Sequence, residues 1–163
     1  MQAPNLPSAD APALSRLLLL VSLAAKPFAR VHEHRWGISL PEWRVVLSVR
    51  DQPGISGSEL AQDLGLDKMA ISRAVRVLER GGYLARNTAP GDIRRQALRL
   101  TAQGEELCAA MSPHDRALDM QLLRDLAPSE AEQFMQTLDR LVAAARSQRG
   151  RRSQPGEASR AEP

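Results

Sequence analysis

The side chains with the clearest chemical capacity are positively charged and lie between positions 66 and 100. This segment carries eight basic and three acidic residues, a net charge of +5, whereas all 163 residues together carry +3. Such a concentration of lysine and arginine attracts polyanions and is typical of nucleic-acid binding. A solvated cationic surface without a partner is the less favoured alternative, because these charges fall on a helix and a hairpin of regular spacing.

The cationic helix is predicted from Lys68 to about Arg80, and its two faces differ. Apolar residues recur at positions i, i+3, i+4 and i+7, the period of a helix that buries one side. This stripe consists of Ile71, Ala74, Val75 and Leu78. The opposite face consists of Lys68, Met69, Ser72, Arg73, Arg76 and Arg80. One face is therefore predicted to lie in the core, and the other to present charge and hydrogen-bonding groups.

A shorter helix is predicted directly before it. Ser56 followed by Glu59 forms a capping box, in which the hydroxyl accepts from a helix N–H and the carboxylate reaches back, so this helix begins near residue 57. Gly65 ends it, since glycine readily adopts the left-handed conformation, and Asp67 supplies the cap of the cationic helix. A turn of about three residues thus joins the two helices.

A two-stranded hairpin follows the cationic helix. Residues 83–88 and 94–100 have the composition of strands. The intervening Ala-Pro-Gly-Asp at 89–92 has strong turn chemistry, because proline presets one dihedral and glycine permits the opposite sign. The hairpin tip carries Asp92, Arg94 and Arg95, and Arg86 lies on the first strand. The helix pair and the hairpin together predict a projecting, positively charged surface.

Three segments resemble the multiple antibiotic resistance regulator (MarR) family of winged helix-turn-helix repressors. They read LPEWRVVLSV, ISGSELAQDLGLDKMAISRAVRVLERGGYLAR and GDIRRQALRLTAQG, and the resemblance is close from about Ser39 to Leu107. In that family the second helix of the pair lies in the major groove of DNA and the hairpin tip in the minor groove. The family's Asp-Arg-Arg tip stands here as Asp92, Ile93 and Arg94, so its first arginine is replaced, with Arg95 as the expected substitute.

The resemblance implies a division of double-stranded DNA contacts between the helix and the hairpin. Base edges are assigned to Arg73 and Ser72, with Lys68 and Met69 at the helix start. Phosphates are assigned to Arg76 and Arg86. The minor groove is assigned to Arg94 together with Arg95, and Asp92 is expected to orient Arg94.

Histidine and tryptophan residues near position 34 are candidates for a ligand site. By resemblance, this region borders a pocket for small acidic aromatic effectors, with His32, Trp36 and Arg44 as candidate residues. His32 and His34 also suggest a metal-responsive regulator, completed by His114 and Asp115. Residues i and i+2 of a helix point about 200° apart and cannot easily share one ion, so ordinary histidines are favoured over a zinc site. No metal and no cofactor are expected.

The N-terminal helix predicts a homodimer. Between Leu14 and Phe28 one apolar stripe is accompanied by leucines on other sides, so the helix must be buried on more than one side. A second copy of the chain is the simplest cover. The apolar run is interrupted by polar residues and is shorter than the roughly 20 residues that a membrane span needs, so no membrane partner is expected. Pro27 is predicted to kink or break this helix.

The other segments complete a mainly α fold with a small β-hairpin wing, of the α+β class. Residues 1–38 are assigned to an N-terminal arm and dimerisation helix, and residues 39–101 to the winged helix-turn-helix domain. Within that domain, a helix is predicted from Ser39 to about Arg50 with Trp43, Val46 and Leu47 facing inward. Residues 147–163 are assigned to a disordered basic tail.

The segment from 102 to 146 is assigned to C-terminal dimerisation helices. Its residues 102–145 carry eight acidic and three basic side chains, a net charge of −5, so DNA should avoid this part. An inward apolar face is predicted to continue through a bend at Pro113. This face consists of Leu107, Met111, Leu118 and Leu122.

Composition limits the function classes. The single Cys108 excludes an internal disulfide framework, is predicted to be an inert packed thiol, and suits the cytoplasm. Five aromatic residues are too few for stacking on single strands. No nucleophilic triad, phosphate loop or carboxylate pair is apparent, so no enzymatic activity is expected. The sequence predicts a homodimeric transcription regulator, with repression favoured, on an inverted-repeat operator; a winged-helix protein-interaction module is the alternative.

Overall fold

The computed structural model describes residues 11–89 and 92–152, with side chains described for 11–87 and 97–148. Six helices and one antiparallel hairpin make up these residues, and they confirm the predicted fold class. In chain order they are α1 (Ala13–Trp36), α2 (Leu40–Asp51), α3 (Gly57–Leu64), α4 (Lys68–Arg80), β1 (Leu84–Ala89), β2 (Asp92–Leu100), α5 (Ala102–Leu123) and α6 (Pro128–Arg152).

The helix-turn-helix begins and ends where its capping residues predict. The Ser56 N–H donates to Glu59 Oε2 at 2.8 Å, and the Glu59 N–H donates to Ser56 Oγ at 3.3 Å. Gly65 follows α3 with a φ of 65°, a left-handed conformation that its missing Cβ permits. The carboxylate of Asp67 accepts from the Ala70 N–H at 2.8 Å and caps α4. Local chemistry therefore fixes both ends of the connecting turn.

The core lies where α2, α3, α4, the hairpin and the first half of α5 meet. Its largest fully buried apolar residues are Leu60, Ile71, Leu78, Leu98, Met111, Val45, Val46 and Val49. On α2, Val46 is buried as predicted, whereas Leu47 is only half-buried and Trp43 packs at the edge of the core. The fully buried residues of α2 are Val45, Val46 and Val49, so the inward face of this helix is rotated from the predicted one.

Two prolines lie inside helices that continue past them. α1 runs through Pro27 to Trp36, and α5 runs through Pro113 to Leu123. Of the two predicted effects of Pro27, a break of the helix is therefore wrong, and a kink stays a prediction. Proline removes one backbone hydrogen bond, and the packing of the residues that follow can outweigh that local loss. After Pro27 these are Phe28 and His32, whose rings stack with centroids 4.3 Å apart.

The hairpin packs its base into the core. Leu84 pairs with Leu100, and Arg86 pairs with Leu98, in antiparallel register. Leu84 and Leu98 are both buried. The pairing becomes irregular after Thr88, close to the tip. Both strands extend slightly farther toward the tip than their composition predicts.

Large apolar side chains of α1, α5 and α6 are exposed in the single chain. On α1 they include Leu14, Leu18, Val21 and Leu23; farther along they include Met120, Leu122, Met135, Leu141 and Val142. Leu107 and Met111 face inward as predicted, but Leu118 is half-buried and Leu122 is 47% exposed. The prediction that Leu122 faces inward is thus wrong for the single chain, because α5 extends beyond the core at this point.

The C-terminal helix is longer than the sequence pattern suggests. α6 continues to Arg152, so residues 147–152, which had been assigned to the tail, are helical. Residues 153–163 lie outside the part of the chain that the structure describes. Within the described ranges, no helix combines the length and the apolarity needed to cross a membrane.

Candidate nucleic-acid interface

The candidate interface is built on α4, and the apolar stripe of this helix anchors it in the core. Ile71, Ala74, Val75 and Leu78 are all buried, as predicted. Burial of each large side chain of this kind contributes roughly 1.5–3 kcal/mol relative to an exposed position. The helix is thus held firmly by one side, and its opposite side is free to face a partner.

The opposite face of α4 is exposed along most of its length. Its exposed residues are Lys68, Met69, Arg73, Arg76 and Arg80, and Met69 is 62% exposed. An apolar side chain in such a cationic setting can contact the methyl group of thymine. The side chains at the start of α4 that are predicted to contact base edges therefore share one accessible surface.

Ser72 and Arg76 act as a pair on this face. The guanidinium of Arg76 donates to Ser72 Oγ at 3.1 Å and to the Ser72 carbonyl oxygen at 3.4 Å. A hydroxyl that accepts from a guanidinium retains its own proton to donate. The two residues had been assigned separate roles, and the structure brings them into direct contact.

An ion pair connects the hairpin to α4. Arg86 Nε donates to Glu79 Oε1 at 2.6 Å, and both side chains are partly exposed. A pair with this exposure contributes at most about 1 kcal/mol to stability. Its geometric effect is to join β1 to the last turn of α4. Glu79 was not among the predicted site residues, since its sequence neighbourhood shows nothing of this contact.

Three further hydrogen bonds fix the base of the hairpin. The Gly54 N–H donates to the Leu98 carbonyl oxygen at 2.8 Å, and the Leu98 N–H donates to the Ile55 carbonyl oxygen at 3.0 Å. The Thr101 hydroxyl donates to the Gly82 carbonyl oxygen at 2.5 Å. The hairpin is therefore held both to the segment before α3 and to the residues that follow α4.

The predicted tip residues cannot be placed by their side chains. Asp92, Arg94 and Arg95 belong to β2 by backbone, but their side chains lie outside the described part of the chain. Their assignment to the minor groove stays a prediction.

The three effector candidates occupy two different places. His32 is fully buried, and its ring centroid lies 5.2 Å from that of Trp36. Arg44 instead donates from Nη2 to the Leu64 carbonyl oxygen at 2.6 Å, at the end of α3. Burial lowers the pKa of the Arg44 guanidinium. The structure thus brings His32 and Trp36 together and directs Arg44 to the helix-turn-helix.

Asp115 of α5 gives His32 its main polar contact. His32 Nε2 lies 2.7 Å from Asp115 Oδ1, and Trp43 Nε1 donates to Asp115 Oδ2 at 3.1 Å. His34 is exposed, although it is only two residues from His32. Among the described residues, no group of three or more histidine, cysteine or acidic side chains has the arrangement of a metal site.

Cys108 lies inside the core. Burial is the largest cause and raises the pKa of its thiol. The positive charge of Arg50 opposes this effect, and the negative charges of Asp115, Asp51 and Glu105 add to it. This environment supports the prediction of an inert packed thiol.

Comparison with known proteins identifies relatives over most of the chain. The MarR family model matches residues 36–95. HosA, a transcriptional regulator of Escherichia coli O111:H-, is 30% identical over 118 residues, which cover 69% of this chain and 87% of HosA. The HTH-type transcriptional repressor Rv2887 of Mycobacterium tuberculosis H37Rv is 30% identical over 132 residues, which cover 81% of this chain and 94% of Rv2887.

Solved structures give the same answer for the fold. The crystal structure of MarR has a TM-score of 0.75 at 26% identity, covering 89% of this chain and 98% of MarR. Rv2887 in complex with DNA has a TM-score of 0.64 at 29% identity, covering 81% of this chain and 98% of that one. Rv2887 in complex with salicylic acid has a TM-score of 0.65 at 28% identity, with 82% and 98% covered. The chain therefore belongs to the MarR family of winged-helix transcriptional regulators.

Proposed function

We propose that the protein is a homodimeric, cytoplasmic transcriptional repressor that binds an inverted-repeat operator and is released by a small acidic aromatic effector. One observation carries the proposal: α4 buries its whole apolar stripe and leaves its cationic N-terminal half exposed. A helix anchored in this way can enter the major groove without disturbing the core. The DNA complex and the repressor name of the relative Rv2887 support the same reading.

The proposed DNA contacts keep the assignments that the sequence predicts for α4 and the hairpin. Lys68, Met69, Ser72 and Arg73 are assigned to base edges. Arg76 and Arg86 are assigned to phosphates, and Arg94 and Arg95, positioned by Asp92, to the minor groove. Arg76 already contacts Ser72, so a phosphate bound by this guanidinium would also position the serine hydroxyl.

The proposed homodimer is supported by the apolar side chains left exposed on α1, α5 and α6. Leu14, Leu18 and Val21 are each more than half exposed on α1, and Leu141 is 52% exposed on α6. Large apolar side chains exposed in such number are typical of helices that pack against a partner. Two copies of α4 would then reach successive major grooves, about 34–36 Å apart.

Effector control is supported by the salicylic acid complex of Rv2887. His32, Trp36 and Arg44 remain the proposed ligand residues. Trp36 is the most available of the three, because His32 is held by Asp115 and Arg44 by the Leu64 carbonyl group. We call α3, α4 and the hairpin the DNA-reading unit. A carboxylate bound near Trp36 would lie between this unit and the helices that carry the exposed apolar surface.

Competition binding to operator duplexes selected from random sequence tests the proposal. Arg73→Ala should lower affinity and relax base preference at one position by about 1–3 kcal/mol. Arg124→Ala, an exposed arginine of the acidic C-terminal segment, is the matched control and should leave binding unchanged. Equal loss in both variants, or binding that does not weaken as salt rises, would favour a protein-interaction module instead.

A further inference from the structure

One buried polar cluster joins the helices that carry the exposed apolar surface to the DNA-reading unit. His32 of α1 has no exposed surface, and it contacts Asp115 of α5, which also accepts from Trp43 of α2. α2 in turn shares one hydrophobic core with α4. The cluster is therefore separated from α4 by α2 alone.

The hydrogen-bond partners of His32 determine how many protons its ring carries. Nδ1 lies 3.0 Å from the Phe28 carbonyl oxygen, which can only accept. Nε2 lies 2.7 Å from Asp115 Oδ1, and the other oxygen of that carboxylate accepts from Trp43 Nε1. Both ring nitrogens therefore face acceptors, and both must donate when Asp115 is ionised. The ring is then an imidazolium paired with a carboxylate.

We propose that the imidazolium of His32 and the carboxylate of Asp115 form a proton-controlled link between the dimerisation helices and the DNA-reading unit. The effect of this link on DNA binding rests on the proposed function. Loss of one proton to solvent leaves a neutral ring with a single N–H. That N–H can satisfy the Phe28 carbonyl group or Asp115, but not both. The ring nitrogen that has lost its proton then faces an oxygen that can only accept, so that contact is lost and the arrangement of α1, α2 and α5 becomes less favourable.

Other titratable groups near His32 and Asp115 could compete with this pair for the proton. From α5 the ring is faced by Asp115 and by His114, whose ring centroid is 6.0 Å away and whose Nε2 is buried without a hydrogen-bond partner in the described structure. Asp119 lies one turn beyond Asp115. From α2 the ring is faced by Trp43, which does not titrate, and on α1 the neighbouring His34 is exposed.

Nitrogen-15 NMR of histidine-labelled protein without DNA tests the protonation state directly. The chain has three histidines, so each can be assigned by one substitution. At the lowest pH of the titration both ring nitrogens of His32 should show the chemical shift of a protonated nitrogen, and one of them should lose it as pH rises. A neutral ring at every pH, with Asp115 carrying the proton, would overturn the proposal whether or not DNA binds.

Operator affinity tests the regulatory consequence. Wild-type affinity should fall about fivefold or more over the pH range in which the NMR signals of His32 change, because the link is lost. Asp115→Asn should remove this dependence, whereas His34→Asn and His114→Gln should keep it. A dependence that survives Asp115→Asn, or disappears only in His114→Gln, overturns the link. Absence of any operator binding would instead defeat the proposed function, while the NMR titration still decides the protonation state.

Discussion

Two glycines in the first turns of helices should respond in opposite directions to the same substitution. Gly104 of α5 lies against the backbone of Tyr83, and a methyl group there would overlap the Tyr83 carbonyl oxygen. That oxygen cannot move aside easily, because it accepts from the Thr101 N–H at 3.1 Å. Gly57 of α3 has no atom within 4 Å of the position that a Cβ would take.

The expected magnitudes follow from these surroundings. Overpacking a close contact costs about 1–3 kcal/mol, and alanine gains up to about 1 kcal/mol over glycine in a helix. Since the Gly104 overlap is with backbone, its cost should lie at the upper end, and Gly104→Ala should lower the free energy of unfolding by about 2–3 kcal/mol. Gly57→Ala should leave it unchanged or raise it by up to about 1 kcal/mol.

Urea unfolding followed by circular dichroism measures both variants. Each must be compared with the wild type at one protein concentration, because the stability of the proposed dimer depends on that concentration. Gly104→Ala should also weaken operator binding, since the overlap lies where the hairpin joins α5. If Gly104→Ala is as stable as the wild type, the close approach of α5 to Tyr83 is wrong. If Gly57→Ala loses as much stability as Gly104→Ala, the effect is not specific to that contact.

Three further predictions concern charge and ionisation. Glu79→Gln should strengthen binding to DNA of any sequence in gel shifts, because it removes a negative charge beside Arg86; weaker binding would show that the pair mainly positions the wing. Cys108 should react with an alkylating reagent far more slowly in the native protein than in urea at about pH 8, since burial raises the pKa of its thiol; equal rates would contradict this. Burial and the charge of Asp115 also raise the pKa of the Asp119 carboxyl group, so its contribution to stability is present at low pH and is lost as pH rises through the folded-state value. Asp119→Asn should therefore raise the unfolding midpoint at pH 7, and no change there would refute the environment assigned to this carboxyl group.

The DNA-reading unit is the part of the fold that the sequence specifies most completely. The bounds of α4 are set by the Asp67 cap and by the apolar stripe, both of which are local. The capping box of Ser56 and Glu59 fixes α3 in the same way. Signals that span only three or four residues can be read without knowing what packs around them.

Contacts between distant segments could not be predicted in this way. His32 and Asp115 are 83 positions apart, and nothing near either residue indicates the other. The continuity of α1 through Pro27 depends on tertiary packing, which overrides a local preference. The pairing of Glu79 with Arg86 depends on how the hairpin turns back beside α4.

Footprinting of a selected operator with a small chemical nuclease tests most directly whether paired α4 helices read the DNA. Two protected patches on one face of the duplex, centred about 34–36 Å apart, are predicted, with two chains bound per duplex. Arg73→Ala should weaken both patches equally, because each contains one copy of the same helix. A single protected patch, or one chain per duplex at saturation, would contradict a symmetric pair of recognition helices.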